Sequence, residues 1–532
     1  MLSKLATLAL AGTAAALPAI HITGQKFFYE NGTQFFIKGI AYQQDTAAIS
    51  DSTGDSKGYI DPLADADNCK RDVPLLQELG INTIRTYAID PTADHTECMK
   101  LLEDAGIYII SDLSQPELSI LRDDPKWTVE HFDRYKAVVD ELAQYDNIIG
   151  FFAGNEVSDA NNNTEASAFV KAALRDTKQY IDDKDYNLGV GYATNDHPDI
   201  RDDIATYFNC GDDDEATDFW GYNIYSWCGE STMEKSGYSD WVDFYKDYNV
   251  PVFFAEYGCN NPGGAANRKF QETGALFSDE MTGVFSGGLV YMYFQEDNDY
   301  GVVEVKNDKV TKMKDFDALK KAHAAADPKG VTEDEYDGAH KRETCPAISK
   351  YWKANSVLPP TPDSELCECA VAASECGVAK GTDEEEFGDV FAYICGNTDL
   401  CHAINANGTT GVYGAYSMCN PSQQLSILLG MYYDSQNGAS DACDFDGVAT
   451  TKTANAASTC DKALASATAH NEKVATATSA VDASTDDDTD DDVDTDDTDA
   501  DDADSAATMA GAFSVAAYMA LAISAGAAMI AL

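Results

Sequence analysis

The sequence has few positive charges. It contains 36 Lys and Arg residues against 91 Asp and Glu residues in a chain of 532, which gives a formal net charge of −55. Proteins that bind nucleic acids neutralise phosphates with Lys and Arg, so this balance excludes a nucleic-acid partner. Histidine is also scarce, at 8 residues, and the sequence shows no group of histidines with metal-ligand spacing.

The acidic residues are unevenly distributed. Fourteen aspartates lie between Asp482 and Asp504, so the rest of the chain carries a net charge of −41. Residues 463–504 are mainly Ala, Ser, Thr and Asp, with almost none of the large apolar side chains that a core needs. We therefore predict a disordered stalk over residues 463–504. The 44% of apolar residues in the whole chain are sufficient for at least one large core before it.

The apolar segment near the N-terminus is too short to span about 30 Å of hydrocarbon. Lys4 precedes it, residues 5–16 are uncharged, and three alanines end it. This pattern is typical of a cleaved secretory signal and disfavours the alternative, an N-terminal membrane anchor. We expect residues 1–16 to be a signal peptide, with cleavage near Ala16 or Ala19, and the chain to be exported.

The apolar segment near the C-terminus has no basic flank. Residues 508–532 contain no charged residue, whereas a transmembrane helix that stops in the membrane is followed by Lys or Arg. Small residues and a short spacer precede this segment, which is typical of a glycosylphosphatidylinositol (GPI) attachment signal. We expect residues 505–532 to be that signal, with attachment at Ser505 or, as second choice, Asp504. A transmembrane tail is the alternative.

The 14 cysteines are an even number, and in an exported chain they are expected to form disulfides. Six lie from Cys69 to Cys345 and eight from Cys367 to Cys460, so a domain boundary is expected between the two groups. A zinc site at Cys367 and Cys369 is the alternative for that pair. Export and the lack of paired CxxC spacing disfavour it.

Strand-length apolar runs alternate with helical patterns in the first 300 residues. Stretches such as 127–145 and 165–181 place apolar residues three and four apart, as amphipathic helices do. Eight βα units favour a (β/α)8 barrel, an α/β fold, over an open doubly wound sheet. The runs are 36–42, 81–88, 107–113, 148–156, 188–194, 218–227, 250–257 and 289–295.

The remaining boundaries follow from composition. We expect the barrel domain over residues 17–350, a proline-containing linker over 351–366 and a cysteine-rich module over 367–462. Four possible crosslinks allow a module of this size to fold with a modest core. Sequons for N-glycosylation, allowed in an exported protein, begin at Asn31, Asn162 and Asn407.

Two of the eight runs end on a glutamate. The fourth ends in Asn155-Glu156, and the seventh ends in Glu256-Tyr257. Chemistry in a (β/α)8 barrel lies where the strands end, so the two carboxyl groups are expected to face each other across the barrel mouth. A pair about 5 to 5.5 Å apart performs retaining glycoside chemistry, one as acid and one as nucleophile. The alternative is that either is a solvated surface acid, but Asn155 beside Glu156 suits a sugar hydroxyl.

These residues resemble a known family. The motifs Asn155-Glu156, Ala-Glu-Tyr-Gly-Cys at 255–259 and Gly-Leu-Val-Tyr-Met-Tyr-Phe at 288–294 are similar to fungal GPI-anchored β-1,3-glucanosyltransferases of glycoside hydrolase family 72. The block of eight cysteines resembles the glucan-binding module of family 43. Signal, barrel, module, stalk and anchor signal occur in the same order.

The resemblance implies an enzyme that cuts inside a β-1,3-glucan, keeps the donor part as a glycosyl ester, and transfers it to the non-reducing end of another glucan. By this resemblance Glu156 is the acid/base and Glu256 the nucleophile. No cofactor or metal is implied. The expected protein is a monomer on the outer leaflet of the plasma membrane, or in the cell wall, with glucan chains as its partners.

The resemblance also implies substrate-binding residues. Donor-side residues are expected on and after the strands, acceptor-side residues after the fifth strand, and further residues at other strand ends; packing or capping is the alternative role for each. The donor set is Tyr87, Tyr291, Ser114, Gln115, Pro116, Glu117, Ser119 and Arg122; the acceptor set is Asp196 and Arg201; the others are Asn155, Gln43, Asp112 and Tyr225.

Residues 259–265 depart from the family pattern, which is usually shorter and carries an arginine. They follow the nucleophile strand, so they are expected to affect acceptor preference and product length. The cysteine pairs that the resemblance implies are Cys69–Cys98, Cys210–Cys345, Cys228–Cys259, Cys367–Cys419, Cys369–Cys460, Cys376–Cys443 and Cys395–Cys401. Aromatic residues of the module are expected mainly in its core, and they include Tyr413, Tyr416, Tyr432 and Tyr433.

Two other functions use the same residues. An endo-β-1,3-glucan hydrolase has identical carboxylates and the same covalent intermediate, and differs only in that water resolves it. A wall-anchored binding protein with an inert barrel is the third possibility, and the intact Glu156 and Glu256 argue against it.

Overall fold

The computed structural model of the protein describes residues 17–44, 58–338 and 340–479. The predicted signal (1–16), residues 480–504 of the stalk and the GPI signal with Ser505 lie outside the described residues. Contacts divide the chain into two compact units. The first takes the described residues up to Glu365 with Ile404–Asn420, and the second takes Leu366–Ala403 and Pro421–Thr476. No helix in the described ranges is long and apolar enough to cross a membrane.

A small antiparallel sheet begins the first unit. Its strands are β1 (Ile20–Thr23), β2 (Lys26–Tyr29) and β3 (Gln34–Phe35). The buried ring of Phe27 in β2 packs on Phe219 and Phe253, at centroid distances of 6.2 and 6.1 Å. Those two rings lie near the first residues of two barrel strands, so this sheet closes the barrel at the end where the strands begin.

A closed barrel of eight parallel strands forms the centre of the first unit, within the described residues. Strands buried on both faces read as continuous apolar runs, which is why the sequence showed them. The (β/α)8 prediction is confirmed. The strands are β4 (Ile37–Ala41), β5 (Thr83–Thr86), β6 (Tyr108–Asp112), β7 (Ile148–Asn155), β8 (Gly189–Thr194), β9 (Phe219–Asn223), β10 (Val252–Tyr257) and β11 (Phe285–Val290).

Helices surround the barrel and bury apolar faces against it. In the third helix Tyr135, Val138, Val139 and Leu142 are buried at spacings of three and four, which produces one apolar face. The elements are α1 (Ala66–Glu78), α2 (Thr96–Asp104), α3 (Val129–Leu142), α4 (Ala166–Asp183), α5 (Arg201–Phe208), α6 (Met233–Ser236), α7 (Tyr238–Tyr245), α8 (Gln271–Leu276), α9 (Asp279–Thr282), the hairpin β12 (Val303–Lys306) and β13 (Lys309–Lys312), and α10 (Phe316–Ala325).

The eighth barrel strand lies earlier in the chain than predicted. It spans Phe285–Val290, whereas the apolar run suggested residues 289–295. The apolar run did not reveal the start of this strand because Gly287 and Gly288 contribute no apolar side chain. A Cβ atom at Gly288 would lie 2.9 Å from the Cβ of Phe254 in the next strand, so close packing inside the sheet requires glycine there.

The predicted linker, residues 351–366, is packed on the first unit and is not a free extended segment. Trp352 is fully buried, and its ring lies 5.0 Å from that of Tyr207. The hydroxyl of Tyr207 also donates to the carbonyl of Asn355 at 2.5 Å. The prolines suggested a free linker, but the indole of Trp352 has enough apolar surface to bind this segment to the barrel unit.

The predicted module is divided between the two units. Ile404–Asn420 belongs to the first unit, so the range 367–462 is not one compact module. The elements in this region are α11 (Ser364–Ala373), β14 (Cys376–Val378), α12 (Phe387–Asn397), β15 (Ala406–Asn407), β16 (Val412–Tyr413), α13 (Pro421–Ser435), β17 (Ala449–Thr451) and α14 (Asp461–Val474).

Helix α14 corrects the predicted start of the stalk. Residues 463–474 are helical, although their composition suggested disorder. Alanine has the best helix propensity, the disulfide Cys369–Cys460 fixes the start of the helix, and Ala467 and Val474 are buried. A few small apolar residues are therefore enough to stabilise this helix once a disulfide fixes its start.

Six disulfides within the described residues have the partners that the resemblance implies: Cys69–Cys98, Cys210–Cys345, Cys228–Cys259, Cys369–Cys460, Cys376–Cys443 and Cys395–Cys401. Cys367 and Cys419 are disulfide-bonded as well. The three sequon asparagines are exposed, as glycosylation requires. Tyr413 and Tyr416 are buried, as expected of core residues, whereas Tyr432 and Tyr433 are half-buried.

Candidate active site

The two predicted glutamates lie at the carboxyl ends of β7 and β10. Strand β7 ends at Asn155 and Glu156 follows it, and Glu256 is the next-to-last residue of β10. Asn223, the last residue of β9, pairs in register with Glu256. Because the barrel strands are parallel, these ends meet at one mouth, where loops can build a cleft.

Glu256 is 8% exposed, and hydrogen bonds fix both of its carboxyl oxygens. The hydroxyl of Tyr87 donates to Oε1 at 2.7 Å, and that of Tyr225 donates to Oε2 at 2.8 Å. A guanidinium nitrogen of Arg85 lies 3.5 Å from Oε1. Two hydroxyl donors and a nearby guanidinium set the orientation of this carboxyl group.

Glu156 has different surroundings. Burial, followed by the charge of Glu256, raises the pKa of Glu156 above its usual range. The side-chain amide of Asn223 donates to its Oε1 at 2.7 Å and acts in the opposite direction. The backbone of Glu156 is left-handed, with φ of 49°, a strain of order 1–3 kcal/mol that is common at functional sites. Arg122 donates to its carbonyl at 2.8 Å and so fixes this turn.

Arg85 lies beneath the two glutamates and is completely buried. It donates to both carboxylate oxygens of Asp112 at 2.9 Å, and to Oδ1 of Asn155 at 3.0 Å. Asn223 also donates to that oxygen, at 3.1 Å. With Oδ1 occupied in this way, the Nδ2 group of Asn155 is the donor that a sugar hydroxyl can use. Asp112, predicted to line the cleft, anchors Arg85 and also lies in the lining of the cavity next to Tyr87.

Three tyrosine rings form one side of the cleft beside Glu256; we call Tyr225, Tyr291 and Tyr300 the tyrosine wall. Tyr300 lies 5.7 Å from Tyr225 and 5.4 Å from Tyr291 between ring centroids. Tyr87 approaches Tyr291 at 6.4 Å. Aromatic faces pack well on the apolar faces of glucose rings, so the wall suits a glucan chain.

A cavity of about 550 Å³ extends from the other side of Tyr87. Its lining includes most of the predicted donor segment, namely Ser114, Gln115, Pro116, Ser119 and Arg122, together with Tyr87 and Asn155. Glu117 is exposed and is not part of that lining. The backbone of this segment therefore borders the cleft while one of its predicted side chains lies outside the cavity.

Two predicted contacts have other partners in the structure. Gln43 is 4% exposed; its Oε1 accepts from the backbone amides of Tyr87 and Ala88, at 3.0 and 3.1 Å, and its Nε2 donates to Ile60 at 2.7 Å. Both ends of the amide are thus occupied, and Gln43 supports Tyr87 from behind. The prediction that Gln43 completes the cleft is not supported.

Asp196 and Arg201 form an ion pair at 2.8 Å in the loop after β8 and at the start of α5. The hydroxyl of Tyr222 donates to Asp196 at 2.6 Å, and the Arg201 guanidinium lies 4.7 Å from the ring centroid of Trp241. Both charged side chains remain partly exposed, so they can still contact a ligand beyond the barrel mouth.

Sequence reasoning missed Arg85, Asn223 and Tyr300. The sequence did contain a signal for Arg85. It lies inside the apolar run at 81–88, and burying its charge costs free energy unless a carboxylate pairs with it. For Asn223 the signal was its position as the last residue of a barrel strand, since the residues at these ends build the active site in this fold. Tyr300 lies in a loop with no local pattern, and only its packing identifies it.

Comparison with protein families gives two matches. The family described as Glucanosyltransferase, glycoside hydrolase family 72, matches residues 9–327, which is more than half of the chain and includes both glutamates. The family described as X8 domain matches residues 374–450. The X8 domain is the family 43 module that the cysteine spacing resembles.

Curated relatives are similar over most of their length. A 1,3-beta-glucanosyltransferase of Arthroderma benhamiae is 54% identical over 444 residues, which are 82% of this chain and 80% of that protein. The 1,3-beta-glucanosyltransferase gas1 of Schizosaccharomyces pombe is 45% identical over 469 residues, which are 87% and 84%.

Solved structures are similar as well. A mutant of Gas2p from Saccharomyces cerevisiae, in complex with laminaritetraose and laminaripentaose, matches with a TM-score of 0.76 and 43% identity. The match covers 85% of this chain and 99% of that one.

Proposed function

Because the chain belongs to the glucanosyltransferases of glycoside hydrolase family 72, we propose that Glu156 and Glu256 are the acid/base and the nucleophile of its reaction. It is a 1,3-β-glucanosyltransferase that cleaves β-1,3-glucan internally and elongates another β-1,3-glucan. One observation carries the assignment of roles. The two carboxyl groups share one buried network, yet Glu256 accepts from two hydroxyl groups while burial favours the protonated form of Glu156.

In the first step a carboxylate oxygen of Glu256 attacks the anomeric carbon of the donor. The bond from that carbon to the glycosidic oxygen breaks, and the proton of Glu156 transfers to the leaving oxygen. The leaving part of the glucan departs with a free non-reducing end. The donor part remains as an ester of Glu256, and Glu156 is now a carboxylate.

In the second step Glu156 acts as a base. It takes the proton from the 3-hydroxyl at the non-reducing end of an acceptor glucan, and that oxygen attacks the anomeric carbon. The ester bond breaks, Glu256 is released as a carboxylate, and Glu156 is protonated again. Two inversions give net retention of configuration, and the acceptor is longer by the donor part.

Sizing the products distinguishes transfer from hydrolysis. Purified protein is incubated with a reduced laminari-oligosaccharide, and the products are separated by length. Products longer than the starting material are expected, because a sugar hydroxyl resolves the ester. Only shorter products, even at high substrate concentration, would favour the endo-hydrolase; no products would favour an inert barrel.

Replacing Asn223 by alanine is expected to move the alkaline limb of the kcat/KM profile to higher pH. Asn223 donates to the carboxylate of Glu156 and lowers its pKa, so its removal raises that pKa and keeps the acid protonated to higher pH. The pH profile of laminari-oligosaccharide turnover measures this. Tyr225→Phe, which contacts Glu256 instead, is the matched comparison and should leave the alkaline limb in place. A limb that stays fixed in Asn223→Ala would contradict the role of Asn223.

We further place the enzyme at the cell surface as a monomer with a GPI anchor. Support for the anchor comes from the sequence alone: the uncharged apolar segment at residues 508–532 and the small residues that precede it, with Ser505 among them. Phosphatidylinositol-specific phospholipase C should release the protein from cells. Retention in the membrane after that treatment would favour a transmembrane tail.

A further inference from the structure

A buried ion pair lies beside the nucleophile strand and has no part in the mechanism above. Arg268 precedes α8 and is 5% exposed, and Asp315, at the start of α10, is 1% exposed. Nε of Arg268 donates to Oδ2 of Asp315 at 2.8 Å, and a terminal nitrogen lies 2.6 Å from the same oxygen. Removing two charges from water costs free energy, so the other contacts of Arg268 are the place to look for what the pair contributes.

The remaining donors of Arg268 are directed to backbone carbonyls of three segments. They bind the carbonyl of Tyr291 at 2.8 Å, that of Tyr300 at 2.6 Å and, more weakly, that of Gly258 at 3.4 Å. Gly258 is two residues beyond Glu256, and Tyr291 directly follows β11. One guanidinium therefore joins the end of the nucleophile strand to two members of the tyrosine wall.

The loop at residues 259–265 contacts the same segment from its other side. The amide of Asn260 donates to the carbonyl of Asp299 at 2.8 Å, and the backbone N–H of Ala265 donates to the Asp299 carboxylate at 3.1 Å. Both contacts come from the loop at residues 259–265. Its contacts hold the residue next to Tyr300, so loop and guanidinium together fix where that ring lies.

We propose that Arg268, fixed by Asp315, is a positioning residue that sets the tyrosine wall beside Glu256 and thereby determines how firmly a glucan chain is bound there. This inference rests on the proposed function. Replacing a whole buried ion pair by apolar residues is often neutral for stability, so stability alone does not explain this pair, although removing one partner by itself is destabilising. Arginine suits this role because its rigid guanidinium presents donors in several fixed directions at once.

The test compares four proteins: wild type, Arg268→Met, Arg268→Lys and the control Lys269→Met. Lys269 is the adjacent cation, is about half exposed and pairs with Glu230 on the surface. In Arg268→Met we expect KM for a laminari-oligosaccharide to rise about tenfold, equivalent to about 1.4 kcal/mol, while kcat falls less than about threefold. Arg268→Lys should recover part of the affinity because an ammonium still donates to carbonyls. Lys269→Met should match wild type.

The outcomes separate this inference from the proposed function. Wild-type protein that makes no longer products would overturn the function itself. Active wild type with a folded Arg268→Met of unchanged KM would overturn only the role of Arg268. If Arg268→Met does not fold, Asp315→Asn replaces it in the test, because asparagine keeps the shape of the side chain and removes its charge. KM should then rise less than tenfold but measurably. An unchanged KM in Asp315→Asn would also overturn the proposal.

Discussion

Replacement of Glu256 by glutamine is expected to lower kcat for glucan transfer by at least about 10⁴-fold. An amide is a poor nucleophile and cannot form the glycosyl ester, so both steps of the reaction are lost. The fold should remain, because glutamine has the same size and its oxygen can still accept from Tyr87 or Tyr225. Turnover of laminari-oligosaccharides and the thermal midpoint, measured together, check both parts of this expectation.

Glu272 offers a matched control in the same unit. It is 4% exposed in α8, and burial raises its pKa to about 7. Glu272→Gln therefore mimics a form that the wild type already populates near neutral pH, and its activity should remain close to normal. A Glu256→Gln protein that retains near-normal turnover, or a Glu272→Gln protein that loses it, would contradict the assignment of the nucleophile.

Replacement of Glu156 by glutamine is expected to lower turnover of glucan by about 10²- to 10⁴-fold, the usual contribution of general acid–base catalysis. The defect should depend on the donor. A donor whose leaving group departs without a proton, such as an aryl glycoside of laminaribiose, still forms the ester on Glu256. Resolution of that ester is then slow, because no base remains to activate the acceptor.

Azide distinguishes the two glutamates. It needs no base, so it should restore turnover of the activated donor by Glu156→Gln and give a glycosyl azide of retained, β configuration. In Glu256→Gln azide can only replace the missing carboxylate and would give the inverted, α product. An α azide from Glu156→Gln, or the absence of any rescue, would show that Glu156 is not the acid/base.

The sequence predicted the barrel because its strands are buried on both faces. Residues 148–156 and 250–257 are nearly uninterrupted apolar runs, and each has at its end, or one residue before it, the glutamate that lies at the barrel mouth. The same rule failed at β11, where Gly287 and Gly288 fill the position of apolar residues. Composition was misleading at α14, which was predicted to be disordered, because a disulfide at its start compensates for a small apolar face.

The rest of the site depends on contacts distant in sequence. Arg85 meets Asp112 across 27 residues, Asn155 across 70 and Glu256 across 171. No local pattern reports such pairings, since each partner occupies an ordinary strand end. At Gln43 the opposite happened. Its position near a strand end suggested a ligand contact, yet its amide bonds backbone groups of Tyr87, just after β5, and of Ile60.

The central claim is that the carboxylate of Glu256 forms the covalent bond to the donor, and one measurement tests it most directly. Glu156→Gln protein is mixed with an activated laminaribiosyl donor, quenched, digested with protease and examined by mass spectrometry. The ester is expected on the peptide that contains Glu256, with a mass increase of one laminaribiosyl group. It should disappear when azide is added, and it should persist with acceptor glucan alone, because no base remains to activate the acceptor. An ester on a different carboxyl group, or turnover with no ester at any time, would contradict the account.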